Sequence, residues 1–98
     1  MQKTKTTPWD PANSLETAED IAAHLKVAFE EGDPELITEL LGDIARSKGM
    51  TEVAKRTGLS RQSLYKALSP DGNPEFVTIL KVLQAFGLGL TVELASEN

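Results

Sequence analysis

Ninety-eight residues, 40% of them hydrophobic and 26% charged, suffice for one compact domain with a modest core and a tail. The absence of cysteine excludes a disulfide framework and a thiolate metal site, and no apolar run approaches the roughly 20 residues of a membrane span. A formal net charge of −5 argues against a polyanionic partner unless the charge is unevenly spread along the chain.

Residues 1–13 are polar and carry Pro8 and Pro11, the composition of an N-terminal tail. No apolar run follows residues 1–7, so no signal peptide is expected and a cytoplasmic location is. Trp9, the only tryptophan, either folds back onto the core or anchors a partner. Residues 14–98 are expected to form a single domain. Thr17-Ala18-Glu19-Asp20 is a capped helix start, with carboxylates where the helix dipole favours them. Ile21, Leu25, Ala28 and Phe29 then recur at helical spacing, and Gly32 ends the segment. Asp33-Pro34 begins a second helix, an N-cap followed by proline at its preferred position. Its apolar stripe is Leu36, Ile37, Leu40, Leu41, Ile44 and Ala45, and Lys48-Gly49 closes it.

The most informative stretch comes next, residues 50–68, which reads as two short helices joined by a tight turn. Ala54 is small where the second helix must cross closely, and Gly58 supplies the positive φ of the turn. Leu59 and Leu64 point inward, and Ser60 is a good N-cap for a helix over 61–69. Arg61, Gln62, Ser63 and Lys66 are left facing outward from its first two turns, the residue types that read base edges and phosphates. Gln62 can pair bidentately with adenine, and Arg61 can reach guanine or a phosphate. Ser60 is expected both to cap and to meet a phosphate at the positive helix end; Ser63 does one or the other. Tyr65 either reaches a phosphate through its hydroxyl or packs beside Leu64 and Leu68. Lys55, Arg56 and Lys66 are phosphate neighbours on this reading. The competing one is an ordinary helical hairpin with a solvated basic face.

Residues 69–74 are dense in turn formers and predict a loop. Phe76, Ile79, Leu80, Leu83 and Phe86 mark a fifth helix, stopped by Gly87. Over residues 88–95 the pattern changes to period two, with Leu88, Leu90, Val92 and Leu94 on one side. A lone strand cannot satisfy its own backbone, so pairing with the same strand of a second copy is expected, giving a homodimer through those four residues. The fold class is therefore all-α, five helices with a short C-terminal β-strand.

Charge is segregated along this framework. Residues 10–43 hold ten carboxylates against Lys26 alone, a net −9, whereas residues 44–81 hold seven cations against Glu52, Asp71 and Glu75, a net +4. Contact with phosphates depends on the local face, so the second half remains suited to nucleic acid while the first suggests a basic protein partner. Catalysis is not expected. His24 is the only histidine and has no cysteine or second histidine with which to hold a metal; no serine or lysine has an activating base at recognisable spacing. Gly87-Leu88-Gly89 precedes a strand pattern and cannot open a phosphate-cradling helix. No cofactor is expected.

From about residue 34 to 86 the chain resembles the Xre / lambda-repressor-like helix-turn-helix domain. The fuller pattern is similar to the probable addiction-module antidote family, relatives of the HigA antitoxins. The residues that carry this are Trp9-Asp10, Glu31-Gly32-Asp33-Pro34, residues 41–50, Gly58-Leu59-Ser60-Arg61, Leu64-Tyr65-Lys66-Ala67-Leu68-Ser69, Gly72-Asn73-Pro74 and residues 80–88. The resemblance implies an antitoxin that blocks a small basic RelE/ParE-like toxin and represses their shared promoter by binding operator DNA as a dimer. A stand-alone phage-type repressor with no toxin is the alternative. Many relatives of the wider fold open the motif with a Thr-Gln pair that grips a phosphate. Here Gly49 and Met50 occupy those places, and Thr51, one residue on, is the replacement contact. For the toxin, Trp9, Glu16, Glu19, Asp20, Glu30 and Glu31 are the expected docking residues, since a toxin that cleaves RNA presents a basic surface. The far side of the core and the C-terminal strand are the competing places.

Overall fold

A computed structural model of the chain describes residues 17–95, which form five α-helices with no strand among them. Helix α1 (Ala18–Glu31) begins at a capping box: Thr17 Oγ1 accepts the Asp20 N–H at 3.1 Å, and Asp20 Oδ2 accepts the Thr17 N–H at 3.4 Å. It buries Ile21, Leu25 and Ala28, one face of the helix at three- and four-residue spacing. Helix α2 (Pro34–Lys48) starts on Asp33, whose Oδ1 accepts the N–H groups of Glu35 at 3.1 Å and Leu36 at 3.4 Å. Arg46 and Lys48 in its last turn complement the negative end of the helix dipole. Lys48 is buried, and the lost solvation lowers its pKa from the ordinary 10.5.

One residue joins α2 to α3 (Met50–Thr57). Gly49 donates its N–H to the Ala45 carbonyl at 2.9 Å, ending α2, and its own carbonyl accepts the Val53 N–H at 3.0 Å, starting α3. Its φ of 105° is available to glycine and to few other residues, and α3 has no side-chain cap to replace it. Helices α4 (Arg61–Ala67) and α5 (Phe76–Ala85) follow. Helix α3 is the hub, packed against α2, α4 and α5, while α1 leans on α2. Leu41, Ile44, Val53, Leu64 and Val82 are fully buried where these helices meet, with Ile21, Leu25, Leu68, Leu83 and Phe86 around them. Each such side chain contributes about 1.5–3 kcal/mol by leaving water.

Three members of the expected apolar stripes lie outside this core, partly buried Leu80 and the exposed Phe76 and Leu36. Phe76 is 66% exposed and Leu36 is at the surface, because each stands in the first turn of its helix, before that face meets its neighbour. Val82 instead joins Leu83 and Phe86 in the buried stripe of α5. That helix ends in a Schellman motif, with the Leu88 N–H on the Leu83 carbonyl and the Gly87 N–H on the Gln84 carbonyl, both at 2.9 Å. Leu88 packs against the core as the motif requires. The strand expected over residues 88–95 is not formed in the single chain: no described segment lies beside it to complete a ladder. Among the described residues, no helix is long and apolar enough to cross a membrane.

Candidate functional site

Helices α3 and α4 are joined by a three-residue turn whose local chemistry fixes its course. Gly58 takes φ 78° and donates its N–H to the Ala54 carbonyl at 2.9 Å. Thr57 Oγ1 donates to the same carbonyl at 3.2 Å and accepts the Leu59 N–H at 3.2 Å, while Leu59 packs onto the core. Ser60 caps α4: its Oγ accepts the Ser63 N–H at 3.0 Å and donates to Ser63 Oγ at 2.9 Å.

A seven-residue helix has no stability of its own, so tertiary contacts must hold α4 in place. Leu64, its one buried residue, and Leu68 just beyond it provide that anchorage. Two glycines let other backbone approach the end of α4. A Cβ at Gly42 of α2 would lie 2.6 Å from the Leu68 carbonyl oxygen, and one at Gly72 would strike the carbonyls of Lys66 and Ala67.

Leu64 is buried, whereas Ser60, Arg61, Gln62, Ser63, Tyr65 and Lys66 are all exposed around the rest of α4. The Arg61 guanidinium lies over the Tyr65 ring, 5.9 Å from its centroid, and that ring is itself exposed and not packed in the core. Thr51 is exposed at the second position of α3. Met50 is 5% exposed, so the place of the phosphate-gripping glutamine is taken by a core side chain. Arg56 Nε donates to Glu52 Oε2 at 3.1 Å, an ion pair that sequence reasoning missed although its i,i+4 spacing was legible. Lys55, Arg61 and Lys66 are exposed and make no ion pair among the described residues, in a chain of net charge −5. The first turn of α4 holds Arg61 and no carboxylate, the reverse of what the helix dipole favours. Helix stability therefore does not explain why a cation stands there.

The acidic residues are arranged differently. Trp9 and Glu16 lie outside the described residues. Glu19 is exposed, whereas the Asp20 carboxylate is engaged in the capping box. Glu30 and Glu31 are exposed in the last turn of α1, where no cation offsets the negative end of the dipole, and Asp33 and Glu35 follow just across Gly32. His24 sits on the surface with Nδ1 2.7 Å from the Asp20 carbonyl oxygen. Of the four residues expected at a dimer contact, Leu88 is half-buried while Leu90, Val92 and Leu94 are exposed. Beside them runs a groove that sequence reasoning did not identify, lined by Leu25, Lys26 and Phe29 of α1 and Leu83 of α5. Its one sequence signal is Lys26, the lone cation of the acidic half.

A family model described as "Probable addiction module antidote protein" matches residues 5–94. An uncharacterized protein of Haemophilus influenzae (strain ATCC 51907 / DSM 11121 / KW20 / Rd) is 44% identical over 85 residues, which span 87% of this chain and 88% of the relative. No solved structure matches.

Proposed function

This chain belongs to the probable addiction module antidote protein family, and on that premise we propose that it is the antitoxin of a type II toxin–antitoxin module. It neutralises a small basic RelE/ParE-like toxin and, as a homodimer, represses the operon that encodes both. An antidote's role is regulatory, and the chain acts by binding rather than by catalysis. Helices α3 and α4 are the two arms of a lambda-repressor-like helix-turn-helix, with α4 the recognition helix in the major groove. Gln62 and Arg61 read base edges; Thr51, Ser60, Ser63, Tyr65 and Lys66 meet the phosphate backbone.

The observation that carries the DNA half of this reading is the outer face of α4. It gathers polar and cationic side chains against the dipole preference of its own helix, in a chain of net charge −5. For the toxin half, the support is the family and the acidic run Glu30, Glu31, Asp33 and Glu35, whose mutual repulsion a basic partner would relieve. Trp9, Glu16, Glu19 and Asp20 belong to the same proposed toxin contact.

Titration of the protein onto its own promoter DNA at rising salt tests the DNA half. Affinity should fall linearly on a log–log plot, by about 0.9 per phosphate contact. Replacing Arg61 and Gln62 together by Ala should remove the preference for the operator, at about 1–3 kcal/mol for each bidentate base pairing that the side chains can no longer make. Salt-independent binding, or a double variant that still discriminates its operator, would refute it.

A further inference from the structure

A groove of about 940 Å³ runs along one flank of α1. Its α1 wall is Ala22, Leu25, Lys26, Phe29 and Glu30, which recur at three- and four-residue spacing and so form one stripe of the helix. Continued toward the start of the helix, the same spacing reaches Ala18, its first residue. The opposite wall is Leu83 of α5 with residues 88–95, where Val92 is 94% and Leu94 96% exposed. Apolar surface on both walls is thus in water, and three charged side chains stand among it: Lys26, Glu30 and Glu93. None of the three makes an ion pair among the described residues.

We propose that residues 1–16 of the same chain fold back along α1 and seat Trp9 in this groove, against Phe29. The docking belongs to the protein free of any partner and does not depend on the toxin contact proposed above; a toxin that takes the Trp9 ring must first draw it out. The residue count permits it. Phe29 lies about 18 Å along α1 from Thr17 at 1.5 Å per residue, whereas the chain from Thr17 back to Trp9 reaches about 26 Å at 3.3 Å per residue. The surplus allows the chain to reverse, with Asn13 and Ser14 as turn formers. Pro8 and Pro11 fix their own φ and bias Thr7 and Asp10 toward extended backbone, so the stretch around Trp9 has less freedom to lose on docking.

The order of the charges selects this occupant. Moving along α1 from Thr17, the groove presents Lys26 and then Glu30, with Glu31 beyond in a last turn that has no cation. Read backward from Thr17, the segment carries Glu16 beside the helix start, then Asp10, then Lys5 and Lys3. With Trp9 against Phe29, Asp10 falls on the Lys26 side and the two lysines fall toward Glu30 and Glu31, where the negative end of the α1 dipole favours them. A second copy of residues 88–95 would bring only Glu93 to a groove that already holds two carboxylates, and a wholly basic surface would meet Lys26 as a like charge. The N-terminal segment has both signs in the order the groove presents them, and its tether holds it there at an effective concentration of about millimolar.

Trp9 is the only tryptophan, so the emission of the full-length protein reports its surroundings alone. In the native state the emission should lie to the blue of solvated tryptophan and be quenched by acrylamide several-fold less efficiently, and unfolding in urea should abolish both differences. A disulfide then places the segment. The chain has no cysteine, so Asp10→Cys with Lys26→Cys should oxidise within one chain, whereas Asp10→Cys with Glu39→Cys, exposed on α2, should not. Lys26 and Glu39 are both exposed, so the helical fold, read by circular dichroism, should persist in these variants. Emission of solvated tryptophan from the native protein would overturn the docking. A shielded Trp9 with no preference for Lys26→Cys over Glu39→Cys would overturn the groove as its seat. A cross-link that joins two chains would give the groove to the segment of a second copy and overturn the fold-back within one chain.

Discussion

The hydroxyl of Ser60 accepts the Ser63 N–H while standing on the face assigned to DNA, so its structural and binding roles can be separated by substitution. Ser60→Ala should cost about 1 kcal/mol by removing the cap, read as a lower urea midpoint. Ser60→Asp keeps a cap of equal quality and should leave stability within about 0.5 kcal/mol, yet place a carboxylate at the proposed phosphate contact and weaken operator binding. An Asp variant that binds DNA as the native protein does would remove Ser60 from the interface. Gly42 is a purely structural counterpart. Its Cβ would meet the Leu68 carbonyl, a backbone atom that cannot swing aside, so Gly42→Ala should force α2 away from the end of α4 at about 1–3 kcal/mol. Denaturant unfolding that shows no loss would mean that the two segments separate freely.

Helix boundaries were legible in the chain because caps are local chemistry. Thr17 with Asp20, Asp33 with Pro34, and Ser60 each begin a helix where their side chains can satisfy the first N–H groups, and Gly87 ends the last one. What was not legible depends on neighbours far along the chain. Periodicity alone could not tell that Met50 is buried, that Phe76 falls short of the core, or that the Tyr65 ring stays exposed beneath Arg61. The α4 residues could be named from the sequence; which of them stay exposed depends on how Leu64 and Leu68 dock that helix on the core. The C-terminal segment is the clearest case. Its period-two pattern is real, but a strand is a relation between two segments, and the single chain supplies one. Removing residues 88–98 should therefore leave the five helices intact, by circular dichroism, and yield a monomer with much weaker operator binding. A truncated chain that remains dimeric would contradict the assignment of this segment.

At the scale of the molecule the two charge populations occupy different elements. Among the described residues, Lys55, Arg61 and Lys66 on α3 and α4 have no carboxylate ion-pair partner, while Glu30 and Glu31 end α1 with no cation in its last turn, next to Asp33 and Glu35 at the start of α2. One chain of net charge −5 can thus offer a positive face to an operator and a negative one to a basic toxin. If these faces are independent, replacing Arg61 and Gln62 by Ala should abolish operator binding and leave toxin neutralisation unchanged; loss of both together would contradict the separation. The antitoxin assignment itself is tested most directly by co-expressing the chain with the small reading frame encoded beside it, then measuring growth and co-purification. The expected result is growth arrest by the neighbour alone, rescue on co-expression, and a stable complex of the two proteins. A neighbour that neither arrests growth nor binds this chain, while the chain still binds its own promoter specifically, would contradict the account and make the protein a repressor without a toxin.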